Sequence, residues 1–308
     1  MGKSGERTTE NFENQIVMKT AVIGEKTYVE AYACLVKKDS FFRLLGTYST
    51  DTKTLKVSQH SIISSFGLIH QADCVFIQKN NELSFVLMTE AVKDGKNVLV
   101  FDPHLLTTEE STELYKLSQE AQVDVFTVSP FVFHPAMHDV FAVSSSFKFL
   151  EVNLEVPISA EAKEEENLMN TLVYLFDMVF AYSPVEMKKT QVYLTRNAEG
   201  EMVYVLIELN NATAAVLRGS SMTSSKSLCI RVIQEKECWE VFPWELRAIR
   251  YFSKNKSRSY SCKEALPDVV LREFEKACHE EKNRLRLLSH FQTSLKIKKM
   301  IQDKQMMA

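Results

Sequence analysis

The chain has 308 residues and a formal net charge of -3 at pH 7, with 45% hydrophobic and 25% charged residues. That is the composition of a soluble globular protein of about two domains; it excludes a strongly basic nucleic-acid surface, and no apolar run reaches the roughly 18 residues of a membrane span. Glycine is scarce, with only 8 residues, at 2, 5, 24, 46, 67, 95, 200 and 219, where average usage is about 7%, and this spacing leaves neither an intact G-x-G-x-x-G loop nor an intact Walker A loop.

The first polar residues contain no apolar signal core, so a flexible lead-in over 1–17 is expected. Residues 18–25 (MKTAVIGE) form an apolar run ending in glycine, which reads as a buried strand. Helical spacing follows over 27–38, then a second strand over 41–49 and a third over 73–77. Residues 82–96 carry a helical period that stops at Gly95, the residue type that tolerates a left-handed cap. A strand at 97–103 ends at Pro103. The next helix, 107–122, has Thr107 or Thr108 as N-cap and acidic residues in its first turn, where the helix dipole favours them. A strand at 123–130 closes this half. Strands alternating with helices predict βαβ units and a parallel sheet covered on both faces.

The second half changes pattern. Residues 146–159 alternate like a half-exposed strand. Residues 160–182 form one long helix with an apolar stripe at Leu168, Leu172, Leu175 and Val179. Strands follow at 190–197, 201–210, 212–220, 227–234, 238–243 and 245–252, with short breaks that predict an open, mostly antiparallel sheet. A helix over 268–292 and a basic tail complete the chain. The fold class is therefore α/β plus α+β, with a Rossmann-like domain over 18–135 and an α+β domain over 136–308.

The six cysteines, at 34, 74, 229, 238, 262 and 278, show no C-x-x-C spacing and read as reduced thiols of a cytoplasmic protein. His134 and His138 stand at i, i+4, but no third ligand is identifiable, so no metal is expected. Strands 201–210 and 227–234 are apolar on more than one face, and Cys238, Trp239, Val241 and Phe242 add apolar surface. This predicts a homodimer through the C-terminal sheet.

Residues 91–137, AVKDGKNVLVFDPHLLTTEESTELYKLSQEAQVDVFTVSPFVFHPAM, resemble the glucose–fructose oxidoreductase, inositol dehydrogenase and rhizopine-catabolism (Gfo/Idh/MocA) family. Ala91, Gly95, Lys96, Val98, Pro103, Glu110, Leu114 and Pro135 fall in its register. The resemblance implies NAD or NADP as cofactor, a small-molecule ligand in an interdomain cleft and pairing through the C-terminal sheet.

The departures from the family pattern are chemical. Its glycine loop corresponds to Gly24-Glu25-Lys26-Thr27-Tyr28-Val29, where only the first glycine remains. Gly24, Glu25, Lys26 and Thr27 are the candidate phosphate contacts, Lys26 as a cation at a helix N-terminus. Ser49 stands where the family places a carboxylate for the ribose hydroxyls, with Asp51 two residues on; a serine permits NADP without selecting it. Lys79 follows the third strand and joins the candidate cofactor residues. The lysine of the family's E-K-P motif is replaced by Asp102, and the histidine of its long helix by Tyr174, while Asp177 is retained. A phenol with a pKa near 10 is a poor base at pH 7. With His104 beside Pro103, the candidate catalytic set is Asp102, His104, Tyr174 and Asp177. The expectation is weak NAD or NADP binding and a degenerate dehydrogenase acting in binding or scaffolding. The alternative is an active oxidoreductase on a sugar-like or other small molecule, with Tyr174 or His104 as proton donor.

Overall fold

A computed structural model describes residues 17–57, 62, 64–137, 140, 147–157, 168–183, 186–198, 200–252, 256–261, 266–279 and 290–307. Residues 1–16 of the flexible lead-in expected over 1–17, the acidic start of the long helix over 160–167, and His138 lie outside them.

The first sheet has six strands: β1 (Met18–Gly24), β2 (Phe42–Ser49), β3 (Thr54–Val57), β4 (Cys74–Gln78), β5 (Asn97–Phe101) and β6 (Val125–Thr127), in the order β3-β2-β1-β4-β5-β6. All neighbours are parallel except β2 and β3, which form an antiparallel hairpin. α1 (Lys26–Val36) and α6 (Leu266–His279) cover one face, through Val29, Val36, Val270 and Phe274 against Phe42, Phe76 and Phe126. α2 (Ser65–Gln71), α3 (Glu82–Lys93) and α4 (Thr108–Ala121) cover the other, through Leu68, Leu87, Met88 and Leu114. Local chemistry sets the helix starts: Ser64 caps α2, and reciprocal capping boxes start α3 (Asn81 with Ser84) and α4 (Thr107 with Glu110). Gly95 follows α3 at φ +73, as its terminal position predicts.

The second sheet has eight strands: β7 (Phe149–Glu155), β8 (Met187–Asn197), β9 (Gly200–Leu209), β10 (Ala214–Ser220), β11 (Ser227–Ile233), β12 (Cys238–Phe242), β13 (Arg247–Phe252) and β14 (Lys256–Ser261). Their order is β14-β13-β12-β11-β7-β10-β9-β8, antiparallel except for the parallel pair β7 and β10. α5 (Leu168–Tyr182) lies on one face, its leucines packed with Val152, Leu154, Val205, Leu217 and Ile230. The approach is close enough that a Cβ on Gly219 would stand 2.9 Å from a Leu168 methyl. α7 (His290–Met307) packs against α5, α4 and β8 and so ties the two sheets together.

Alternate residues of β11 and β12 are buried, which shows which side chains point into this core. Trp239 and Val241 face α5 and are buried, whereas Cys238 and Phe242 face outward. This corrects the expectation that all four add to the exposed apolar surface. Of the helix expected over 268–292, residues 268–279 belong to α6 and 290–292 to α7, while 280–289 lie outside the described residues; the basic tail is the body of α7. No helix of the described residues is long and apolar enough to cross a membrane.

Candidate functional site

The crevice at the carboxyl ends of β1, β4 and β5 is where an open parallel sheet receives ligands. Gly24 ends β1, and Glu25 takes the N-cap position of α1 without a side-chain cap. The Glu25 N–H donates to Gln78 Oε1 at 3.0 Å, and the other end of the same amide, Nε2, donates to Asp102 Oδ2 at 2.9 Å. Gln78 therefore spans the crevice from the start of α1 to the end of β5. The Asp51 carboxylate accepts from Ser49 Oγ and is held below the usual carboxylate range, chiefly by that bond and further by the N–H groups of Thr52 and Lys26. The Asp51 carboxylate thus lies near the first turn of α1, with its hydrogen bonds from Ser49 Oγ and the Thr52 N–H.

The space above Gly24 is filled as well. A Cβ there would stand 2.5 Å from the Tyr28 ring and 2.8 Å from Gln78 Cβ. Tyr28, Tyr32 and Phe101 form a cluster with ring centroids 4.4–5.1 Å apart. Burial pushes both phenols well up, and the Asp102 charge adds to the effect.

The remaining cofactor candidates have other environments. Glu25, Lys26 and Thr27 are exposed, and Lys26 lines a lateral groove between α1, β2 and β3. Lys79 has a side chain only 7% exposed, ion-paired with Glu110 at 3.0 Å and donating to the Asn81 carbonyl. It joins the starts of α3 and α4, and its ammonium is engaged there rather than in the crevice.

A second cavity of about 390 Å³ opens between the two sheets, lined among others by Asp102, His104, Phe131, His134, Tyr174 and Trp244. Asp102 has left-handed backbone angles (φ 52, ψ 46) and starts the 3-10 turn Pro103–Leu105. His104, which follows a surface-like sequence, is 1% exposed and hydrogen-bonds through Nδ1 to the Tyr174 hydroxyl of α5. Burial, with the nearby Lys298 charge, lowers its pKa to about 4, so the ring is neutral at pH 7. Lys298 of α7 donates to the His104 carbonyl at 3.0 Å. Asp177 is buried one turn below Tyr174, where desolvation raises its carboxyl to about 7 against a stabilising bond from Ser129. His134 bridges the Ala136 N–H and the Pro243 carbonyl. Among the described residues no three His, Cys, Asp or Glu side chains converge on a possible metal position.

The fold brings Asp102, His104 and Tyr174 to one cavity and sets Asp177 behind them. The sequence concealed Gln78, Tyr28 and Tyr32, because an amide and two tyrosines carry no dinucleotide-site signature; the polar residue ending an otherwise apolar β4 was the available signal.

No protein-family model matches the chain, and no curated protein sequence matches it. Solved structures do. UDP-N-acetylglucosamine 3-dehydrogenase GnnA from Acidithiobacillus ferrooxidans superposes with a TM-score of 0.75 at 17% identity, covering 93% of this chain and 97% of that one. The dehydrogenase MviM from Clostridium difficile gives 0.71 at 13%, covering 93% and 99%. The fold is that of the Gfo/Idh/MocA dehydrogenases. Biliverdin reductase from Synechocystis sp. PCC 6803, solved with biliverdin and NADP+, gives 0.64 at 10%, covering 91% and 98%. The matched 93% of the chain takes in both sheets.

The dinucleotide that this fold implies does not fit the residues present. Its pyrophosphate needs free amides at the first helix and an open approach over the glycine. Here Gln78 takes the Glu25 N–H, the Asp51 carboxylate lies beside the first turn of α1, and Tyr28 fills the approach.

Proposed function

We propose that this chain is a dehydrogenase-fold protein that binds a small molecule between its two sheets and does not carry out hydride transfer with NAD or NADP. The Gln78 bridge from the Glu25 N–H to the Asp102 carboxylate carries this reading, because it crosses the space a dinucleotide would occupy. The loss of charge-assisted bonds worth about 1.5–3 kcal/mol each supports cofactor affinity weaker than micromolar. The interdomain cavity supplies the small-molecule site. Its neutral His104–Tyr174 pair and Phe131 and Trp244 walls suit a ligand with an aromatic or other apolar face and a few polar groups. We place the protein in the cytoplasm with reduced thiols and assign it a homodimer through the outer face of the C-terminal sheet.

The test is a fluorescence titration of the purified chain with NADH and NADPH. Weak or undetectable binding up to millimolar cofactor is expected; saturation at micromolar cofactor overturns the reading. The second reading, an active oxidoreductase, draws on the hydrogen-bonded His104 and Tyr174 facing the same cavity as Asp102. It requires cofactor turnover that Tyr174→Phe abolishes. A histidine with a pKa near 4 disfavours it, since only about one ring in a thousand is protonated at pH 7.

A further inference from the structure

Behind His104 lies a pocket separate from the cavity between the sheets. It has a volume of about 430 Å³ and opens between the turn Pro103–Leu105, the start of α4, the start of α5 and the body of α7. Thr108, Glu109, Asn170, Lys298 and Lys299 belong to its wall, and His104 is the residue it shares with the cavity in front.

Three donors meet there without an acceptor for each. The first is the His104 ring. Its Nδ1 is hydrogen-bonded to the Tyr174 hydroxyl. A phenol is a stronger acid than a neutral imidazole N–H, so the hydroxyl donates to Nδ1 and the ring proton sits on Nε2. That nitrogen is buried, in a residue only 1% exposed, and has no hydrogen-bond partner among the described residues. Folded proteins rarely leave a buried donor unpaired without a reason.

The second is Lys298. It is half-buried, donates to the His104 carbonyl at 3.0 Å and makes no ion pair among the described residues. Burial lowers its pKa, and no carboxylate offsets that burial, although Glu109 and Asp303 stand elsewhere in the wall. A cation withdrawn from water normally has a counter-charge. The third is the first turn of α4. Its capping box takes the Thr107 and Glu110 N–H groups. The N–H groups of Thr108 and Glu109 keep no acceptor among the described residues, at the helix end that favours negative charge.

We propose that this rear pocket binds an oxyanion, the phosphate or carboxylate head of a small metabolite. The head accepts from His104 Nε2–H and pairs with the Lys298 ammonium, beside the open amides of α4. The pocket volume lies in the range of small-molecule sites, so the head carries an organic body. The site is distinct from the one in the proposed function, because Lys298 and Lys299 do not line the cavity in front, and either can fail alone. Its effect reaches that cavity all the same: a His104 ring held from behind meets the front ligand with its orientation and tautomer fixed.

The test is a titration of the purified full chain with inorganic phosphate and, separately, with acetate, at constant pH and ionic strength. It is read on the ring resonances of histidine-labelled protein by nuclear magnetic resonance, and His104→Gln identifies the His104 signal by its loss. A saturable shift of that signal is expected, with a midpoint at about millimolar anion. The tighter of the two probes assigns the head as phosphoryl or carboxylate. Lys298→Met keeps the apolar stem and should raise the midpoint about tenfold, or about 1.4 kcal/mol, whereas Met at the exposed Lys37 of α1 should leave it unchanged. Thermal melts check that the variants fold; should Lys298→Met not fold, the His104 signal of the unaltered chain decides alone. A His104 signal that fails to saturate with either probe up to roughly a hundred times the expected midpoint overturns the proposal. A midpoint that Lys298→Met does not move marks an adventitious ion only, and overturns it as well.

Discussion

Asp177 lies inside α5 with its carboxyl raised from 3.8 to about 7 by burial, and this has a definite pH consequence. The folded state holds a proton that the unfolded chain releases near 3.8, so the contribution of Asp177 to stability falls as pH rises from about 4 to about 7 and stays low above that. His104 acts in the opposite window. Its folded pKa near 4 leaves it neutral and harmless above 6.5, and stability is lost as pH falls from 6.5 towards 4. Asp177→Asn should therefore stabilise the protein more at pH 8 than at pH 5, by about 2–3 kcal/mol. Thermal melts across pH 5–8 check this, and an increment that does not change with pH would show that Asp177 ionises freely. The type of residue at 102, 104, 174 and 177 was legible from the sequence, but the protonation states of His104 and Asp177 were not. Burial sets that of Asp177, and burial with the Lys298 charge that of His104, and both arise from residues distant along the chain.

At the scale of elements, the start of α4 carries two duties. Glu110 Oε2 accepts from the Thr107 N–H in the capping box, while Oε1 pairs with Lys79. Thr107→Ala removes one cap bond and should cost about 1 kcal/mol. Glu110→Ala removes the reciprocal bond and also leaves the buried Lys79 ammonium without its carboxylate, so about 2–4 kcal/mol is expected. Urea denaturation at unchanged slope measures both, and equal costs would show the ion pair to be idle. The cap was readable as a Thr-x-x-Glu pattern. The ion pair was not, because Lys79 and Glu110 meet only once β4 and β5 lie side by side.

The whole molecule places the outer face of the second sheet at issue. Tyr193 and Tyr204 stand opposite each other on β8 and β9 with ring centroids 6.2 Å apart, and both are exposed, at 59% and 39%. Toward the other side the face is crossed by the Glu151–Arg231–Glu240 ion pairs. Light scattering at low micromolar concentration should give twice the 35.3 kDa chain mass, and Tyr193→Glu with Tyr204→Glu should shift it to the monomer with an unchanged melt. A monomeric wild-type chain removes the dimer. Trp239 is unsuitable for this purpose, since its ring is buried against the core and a charge there would unfold the sheet.

The division between what the sequence determined and what only the structure decided follows the range of the forces involved. Apolar periodicity, capping residues and helix-ending Gly95 act over a few residues, so they were readable and yielded the alternating first half, the long helix and the antiparallel second half. The missing glycines at 26 and 29 and the substitutions Asp102 and Tyr174 were readable for the same reason, and the proposal of a poor dinucleotide site starts from them. The antiparallel β2–β3 hairpin, the parallel β7–β10 pair, the burial of His104 and the Gln78 bridge were decided by tertiary structure. Each depends on which strand lies beside which and on contacts tens of residues apart; Gln78 is a polar strand-end residue in sequence and a closed crevice only after β1, β4 and β5 align.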